Sequence, residues 1–244
     1  MRKVLFFSVM VTVCAWVVPV MGGVGVVPKG SALGGKTTTQ WTADWEIWQY
    51  SFPGDVPNPY GEGATLDASV NQPAAPVFFL GGTAGGPAVR SFAAPAGKYM
   101  MVPLLTCEWS QQETPGATVE ELRKICKDLL DRTDMLKLSV NGVDVLNLFD
   151  YREITDVPAF TFVDKNVGGV TPGPSGAAVS DGFFVLAGPF EPGTYALEFG
   201  GRTYLDDAKT QAFEVSIKDT IQVVPEPGAL GLAGLAVLLG RRRR

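Results

Sequence analysis

The chain has 244 residues, with 20 Lys and Arg against 25 Asp and Glu, a net charge of −5 and no histidine. Without imidazole there is no Ser-His-Asp or Cys-His nucleophile, no HExxH zinc site and no histidine metal cage. With both ends set aside, 24 acidic residues face 14 basic ones, a balance that argues against a nucleic-acid partner or an anionic membrane surface.

Arg2-Lys3 precede an apolar run from Val4 to Val18, then Pro19 and the small residues Gly22 and Gly23. That is the order of a secretory signal over residues 1–22, with cleavage expected after Gly22. An uncleaved N-terminal anchor is the alternative. Cys14 does not read as a lipidation site, because Val13 precedes it where a small residue is needed. Loss of the signal leaves Cys107 and Cys126, an even pair in an oxidising compartment. A bridge between them closes a loop of about 20 residues, worth about 3 kcal/mol in the loop-entropy model. Two buried free thiols are the alternative.

Residues 23–40 read as a linker, Gly-rich from Val24 to Gly35. Trp41, Trp45 and Trp48 then recur at helical spacing, with Phe52 a turn further and Thr39 as the expected cap. The three indoles share one helix face. They form either a stripe packed on a sheet, the simpler expectation, or a platform for sugar rings. Pro53 to Pro76 is turn-rich. Val77 to Leu80 reads as a strand ended by Gly81-Gly82. Gly85-Gly86 open no phosphate loop, since neither Lys-Ser/Thr nor a helix pattern follows. Tyr99 to Thr106 is the next strand.

Thr118 and Glu121 form a capping box, and Leu122, Ile125, Cys126, Leu129 and Leu130 recur at helical spacing, predicting a helix over 118–132. Leu136 to Val140, Asn141-Gly142 and Val143 to Phe149 predict a hairpin with a type I′ turn. Further strands are expected at Ala159 to Val163, Phe183 to Ala187, Thr194 to Phe199 and Ala212 to Val223. Turns are expected at Gly168 to Gly176, Pro189 to Gly193 and Gly200 to Arg202. The sum is a mainly β domain over 41–223. It reads as an antiparallel β-sandwich, jelly-roll or Greek-key-like, with one inserted helix and a short N-terminal Trp-rich helix.

Catalysis would rest on carboxylates, and Asp44, Glu46, Glu108, Asp150, Asp206 and Asp207 are the candidates for a glycosidase pair. Sequence alone does not pair them, so no catalytic residue is assigned and a non-enzymatic domain is expected. Asp206, Asp207 and Asp181 offer oxygen ligands for Ca²⁺, but no calcium-loop motif is present, so no metal or cofactor is assigned. Tyr60, Trp109, Tyr151 and Tyr204 stand beside turns or charges, as aromatics that stack on pyranose faces do; partial burial without a ligand is the plainer reading.

The tail runs Val224, Pro225, Glu226, Pro227, then an uncharged stretch from Gly228 to Gly240, then Arg241, Arg242, Arg243 and Arg244. At ~1.5 Å per residue the uncharged stretch spans about 20 Å, short of the ~30 Å hydrocarbon core. The arginines hold a cytoplasmic end. This tail over 224–244 resembles the PEP-CTERM sorting signal of Gram-negative bacteria. The resemblance implies transient residence in the inner membrane, processing by an exosortase-type protease near Pro-Glu-Pro, and delivery to the envelope or extracellular matrix. It also implies an exopolysaccharide partner.

A second likeness covers about 41–223. Trp45-x-x-Trp48, Pro57-Asn58-Pro59, Pro76 to Thr83, Pro95 to Lys98, Val102-Pro103, Val140 to Val143, Tyr151-Arg152, Asp181 to Val185 and Pro192 to Thr194 occur in an order that resembles a family of uncharacterised secreted bacterial proteins. Ser91-Phe92 stand where members often carry a Cys after an Arg, so a family disulfide pattern does not carry over. The resemblance implies export and a single domain. The expectation is an exported matrix protein that binds or organises exopolysaccharide; a secreted carbohydrate-active hydrolase using paired carboxylates is the alternative.

Overall fold

The period-two stretches of the sequence pair into two facing sheets. The structure, a computed structural model, describes residues 25–74 and 76–225. Residues 1–22, where a secretory signal is expected, with Cys14, and Glu226, Pro227 and Arg241 to Arg244 of the tail, lie outside the described residues.

In chain order the elements are β1 (Ala32–Leu33), β2 (Lys36–Thr37), α1 (Thr38–Gln49), β3 (Val77–Phe79), β4 (Gly86–Pro95), β5 (Tyr99–Ser110) and α2 (Val119–Leu130). Then come β6 (Met135–Val140), β7 (Val143–Asp144), β8 (Arg152–Val157), β9 (Thr161–Phe162), β10 (Gly173–Pro174), β11 (Ala178–Ala187), β12 (Gly193–Tyr204) and β13 (Ala212–Val224). One sheet has the order β3-β5-β11-β8 and the other β4-β13-β12-β6-β7. The domain is therefore the expected mainly β sandwich. Two pairings differ from the antiparallel rule: β3 runs parallel to β5, and β4 parallel to β13. Both join strands that are not hairpin neighbours, a pairing that local turn signals do not announce.

The two sheets enclose one core. Val179, Phe183 and Val185 of β11 meet Leu138, Leu197, Phe199, Ile217 and Ile221 of the other sheet. A register shift in the β5–β11 pairing between Phe183 and Phe184 makes room for an extra residue, Leu104, and both Leu104 and Leu105 join this core. A second core lies on the outer face of the four-stranded sheet, where Trp41, Trp45 and Trp48 of α1 pack on Val77, Phe79, Met101, Phe184 and Leu186. Strand β11 is thus covered on both faces, and each of its residues is buried. Helix α2 closes one end of the inter-sheet core through Leu122, Cys126 and Leu130.

Local chemistry sets the helix ends. Thr118 and Glu121 form the expected box on α2. On α1 the cap is Thr37 rather than Thr39, with Gln40 completing the box. Asn141 (φ 51°) and Gly142 (φ 77°) make the predicted turn between β6 and β7, but β7 is only two residues long and the chain then enters a 3-10 turn at Leu148–Tyr151. Gly200-Gly201 are not a turn. Strand β12 runs through them, because the neighbouring strands come too close for side chains: a Cβ on Gly200 would lie 1.9 Å from the Val215 carbonyl oxygen. The stretch read as a linker is also docked from Gly25 onward. Val27 N–H donates to the Leu186 carbonyl at 2.9 Å, and β1 and β2 form a small hairpin that leads into α1.

Cys107 of β5 and Cys126 of α2 have Cα atoms 5.3 Å apart, within the range a disulfide spans. Non-reducing peptide mapping of protein folded under oxidising conditions is expected to recover the two cysteines as one linked species. Two thiols open to alkylation in the native protein would contradict the bridge.

Candidate functional site

Three loops enclose a surface cleft of about 750 Å³, formed by residues of 54–65, 83–88 and 165–167. That volume suits a small polar ligand. The loops hold their shape through side chains that cap backbone. Asn58 donates to the Gly54 and Val56 carbonyls and accepts from Tyr60 N–H at 2.8 Å. Asn166 does the same for Val163 and Val170. Gly54 N–H donates to the Lys165 carbonyl at 2.6 Å and ties the first loop to the third. Lys165 reaches back to Asp55 at 2.6 Å, which keeps the Asp55 carboxyl below its ordinary range.

Beneath the rim lies the most demanding contact of the fold. Arg90 on β4 makes a fork to Asp219 on β13, at 2.7 and 2.9 Å, with both side chains buried. Its remaining N–H groups donate to the carbonyls of Pro59, Gly81 and Gly82 at 3.0, 2.8 and 3.3 Å. All five guanidinium donors are satisfied. Burial pushes the Asp219 carboxyl up, and Arg90 opposes it. The cleft is therefore walled by loops fastened to a cation inside the sandwich.

Tyr60 lines the cleft. Its ring packs against Phe52 and its hydroxyl donates to Gln49 Oε1 at 2.7 Å. Gln49 in turn donates to Glu46, whose other oxygen accepts from Ser180 at 2.6 Å. Glu108 on β5 stands directly across the ladder from Ser180. It is 7% exposed, and neither carboxyl oxygen has a hydrogen-bond partner. Tyr50 and Glu113 face it, and Glu113 is itself engaged by Ser110 N–H at 3.0 Å and Oγ at 2.8 Å. Burial first, then the charge of Glu113 and Glu46, pushes Glu108 up to about 9. Burial likewise raises Glu46 to about 8 against the opposing bonds from Ser180 and Gln49. Both carboxyls are held neutral where an ordinary one ionises.

Of the six carboxylates weighed as a catalytic pair, the structure brings together Glu46 and Glu108. They meet between α1 and the sheet, buried, rather than across an open groove. Asp44 pairs with Lys36. Asp150 is exposed in the 3-10 turn. Asp206 closes its own loop through Thr210 and Gln211, and Asp207 pairs with Arg132. The calcium set does not assemble: Asp181 is taken by a two-pronged contact from Arg152, and no cluster of acidic and cysteine side chains among the described residues could hold a metal.

Of the two readings of the indoles, the simpler one, a stripe packed on a sheet, is the one the structure shows. Trp41, Trp45 and Trp48 are 3%, 1% and 4% exposed, and each indole N–H donates to a backbone carbonyl, of Leu33, Leu80 and Val70. They are core. The four aromatics singled out for sugar stacking have separate partners. Trp109 donates to Thr114, Tyr151 packs at the inter-sheet core, and Tyr204 donates to Asp134 beneath Arg202 and Lys209. Among them Tyr60 alone lines the cleft described here. Sequence reading passed over Asp55, Thr65, Thr83 and Lys165, the polar wall around it; the usable signal was the dense Gly, Pro and Asn content of Gly54 to Gly61. Val224 and Pro225 of the tail motif are described, with the Val224 carbonyl accepting from Ala96 N–H at 2.8 Å.

The buried acids predict a pH dependence. A carboxyl whose folded pKa is raised contributes stability that is complete below its ordinary value near 4.5 and lost as pH rises toward the folded value. The melting temperature is therefore expected to fall between about pH 5 and pH 9, by at least the ~2–4 °C that ~1 kcal/mol represents in a domain of this size. Glu108→Gln is expected to flatten the fall; a melting temperature that rises over this range would contradict the neutral-acid assignment. No family model, no curated protein and no solved structure matches the chain.

Proposed function

We propose that the chain is an exported, non-enzymatic envelope or matrix domain that is processed through its C-terminal sorting signal and binds exopolysaccharide in the cleft beside Tyr60. The observation that carries the export half is the order of the tail: Pro-Glu-Pro, an uncharged stretch and four arginines. Among the described residues the last strand, β13, ends at Val224, the first residue of the tail motif. No helix among the described residues is long and apolar enough to cross a membrane.

The cleft supports the glycan half. Its walls combine an amphipathic ring with hydroxyls and backbone polar groups, a mixture that suits a ligand with both apolar faces and many hydroxyls. The hydrolase alternative retains one observation, the meeting of Glu46 and Glu108 with raised pKa values. Their burial speaks for a structural role, since a glycosidase needs its acid and base on either side of a sugar.

The test uses protein recovered from a host that carries an exosortase. Its intact mass is expected to lack Arg241 to Arg244, and on a glycan array it is expected to bind bacterial polysaccharides without releasing reducing ends. Tyr60→Ala is expected to weaken that binding by roughly tenfold, the loss of about 1–2 kcal/mol of contact. Retained arginines would refute the processing, and turnover abolished by Glu46→Gln or Glu108→Gln would favour the hydrolase.

A further inference from the structure

Helix α1 ends on Gln49, and strand β11 carries Ser180 into the layer below it. Glu46 stands between the two. One of its oxygens accepts from the Gln49 amide, and the other accepts from the Ser180 hydroxyl at 2.6 Å. A hydroxyl and a carboxamide thus share one carboxyl group. The Gln49 carbonyl oxygen accepts in turn from the Tyr60 hydroxyl at 2.7 Å. The site is sealed: Glu46, Ser180 and Gln49 are 0%, 1% and 7% exposed. In the same layer Glu153 accepts from two hydroxyls, those of Thr38 and Thr39, so the meeting of hydroxyl and amide is particular to Glu46.

Acyl transfer needs a nucleophile, a base beside it, a donor on the carbonyl oxygen and a proton for the leaving group. Each part has an occupant here. Ser180 Oγ is the nucleophile and Glu46 the base. The Tyr60 O–H lies where negative charge develops on Gln49 Oε1, and Glu46 also touches the leaving nitrogen, Nε2. Burial pushes the Tyr60 hydroxyl well above the ordinary tyrosine range, so it stays a donor, and the Gly82 backbone N–H holds its oxygen in place.

We propose that these four side chains form an autocatalytic cross-linking site, at which Ser180 Oγ displaces the amide nitrogen of Gln49 and an ester joins β11 to α1. Glu46, as carboxylate, takes the Ser180 proton while Oγ bonds to Gln49 Cδ. The carbonyl electron pair moves onto Oε1, where the Tyr60 O–H stabilises it. Glu46 then delivers the proton to Nε2, whose lone pair is freed once amide resonance is lost. The C–N bond breaks, the carbonyl re-forms, and nitrogen leaves as ammonia. One C–O bond replaces one C–N bond, nothing is oxidised or reduced, and Glu46 regains its starting form.

The surroundings suit this chemistry. Oγ and Nε2 lie on the two oxygens of a single carboxyl group. Attack therefore asks for a turn of the short serine side chain, bringing Oγ to about 3–3.5 Å from Cδ, and not for a shift of helix or strand. Burial makes the Glu46 carboxylate a stronger base than an exposed one, against the opposing bonds from Ser180 and Gln49. Escape of ammonia to solvent drives the step forward, and the sealed layer denies water to the ester. The bond fastens the end of α1, with its tryptophan core, to the sheet, as Cys107 and Cys126 fasten α2 to β5. It does not depend on the glycan reading of the cleft.

The test is mass spectrometry of the whole chain folded under oxidising conditions. The intact mass is expected to fall short of the disulfide-bonded sequence by one ammonia. Because a succinimide at Asn141-Gly142 lowers the mass equally, the deciding readout is peptide mapping, which is expected to recover the peptide holding Gln49 joined to the one holding Ser180. Mild alkali is expected to separate them and leave a carboxylate at position 49. Ser180→Ala, Gln49→Met and Glu46→Gln are each expected to abolish the link. Tyr60→Phe, which removes only the donor to the carbonyl oxygen, is expected to slow its formation after refolding by roughly 100-fold. The native chain is read without any substitution, so a variant that fails to fold does not protect the proposal. Peptides of α1 and β11 that separate cleanly from the native protein, or a link that forms without Ser180, would overturn it.

Discussion

Arg90 and Asp219 face each other across a parallel strand pair, in direct register, in the middle of an inward row that is otherwise Val215, Ile217, Ile221 and Val223. An ion pair in that position is costly to desolvate, and it is tolerable here because every donor of the guanidinium is engaged. What the pair contributes is connection. β4 and β13 are far apart in sequence and share no hairpin, and the charge match fixes their register. The same guanidinium holds the loop after β3 and the loop at Pro59 by their carbonyls. One side chain thus links the edge of one sheet, the end of the other and two walls of the cleft.

The outer layer shows a comparable division of labour. Helix α1 lands on the four-stranded sheet with an apolar half and a polar half. Trp41, Trp45 and Trp48 meet Phe79 and Phe184 through edge-on contacts, while Glu46 meets Ser180 and Thr38 and Thr39 meet Glu153. The apolar half supplies burial, at about 25 cal/mol per Å² of apolar surface removed from water. The polar half imposes orientation, since buried polar groups tolerate few geometries. Glu108, with two unpartnered oxygens in that layer, departs from the rule that buried polar atoms are paired, and its neutral form lessens the cost. That departure lies beside the side chain whose line of hydrogen bonds leads to the cleft.

Much of the fold was legible because its signals are local. The Thr118-Glu121 box, the Asn141-Gly142 turn and the spacing of the tryptophans each act within a few residues and appear where read, and the core stripe on α1 needed only its period. The strand of β4, its parallel pairing and β8 were not legible, because each depends on partners more than a hundred residues away or on a sheet edge. Gly200-Gly201 misled for a related reason: glycine signals a turn and a close backbone approach alike, and the deciding neighbour, Val215, is remote in sequence. For the site, Tyr60 was named and its setting was not. One clue was available unread: Asp219 occupies an inward place in the alternation of β13, and a charge there calls for a buried partner.

The claim that this pair is the joint of the fold is most directly tested by a double-mutant cycle on Arg90→Met and Asp219→Leu, followed by urea unfolding. Each single change leaves an uncompensated buried charge and is expected to cost about 3–5 kcal/mol, while the double variant, apolar on both sides, is expected to lose clearly less than the two together. Single variants within about 0.5 kcal/mol of the native protein, the range of an ordinary surface substitution, would contradict the account, as would strictly additive losses.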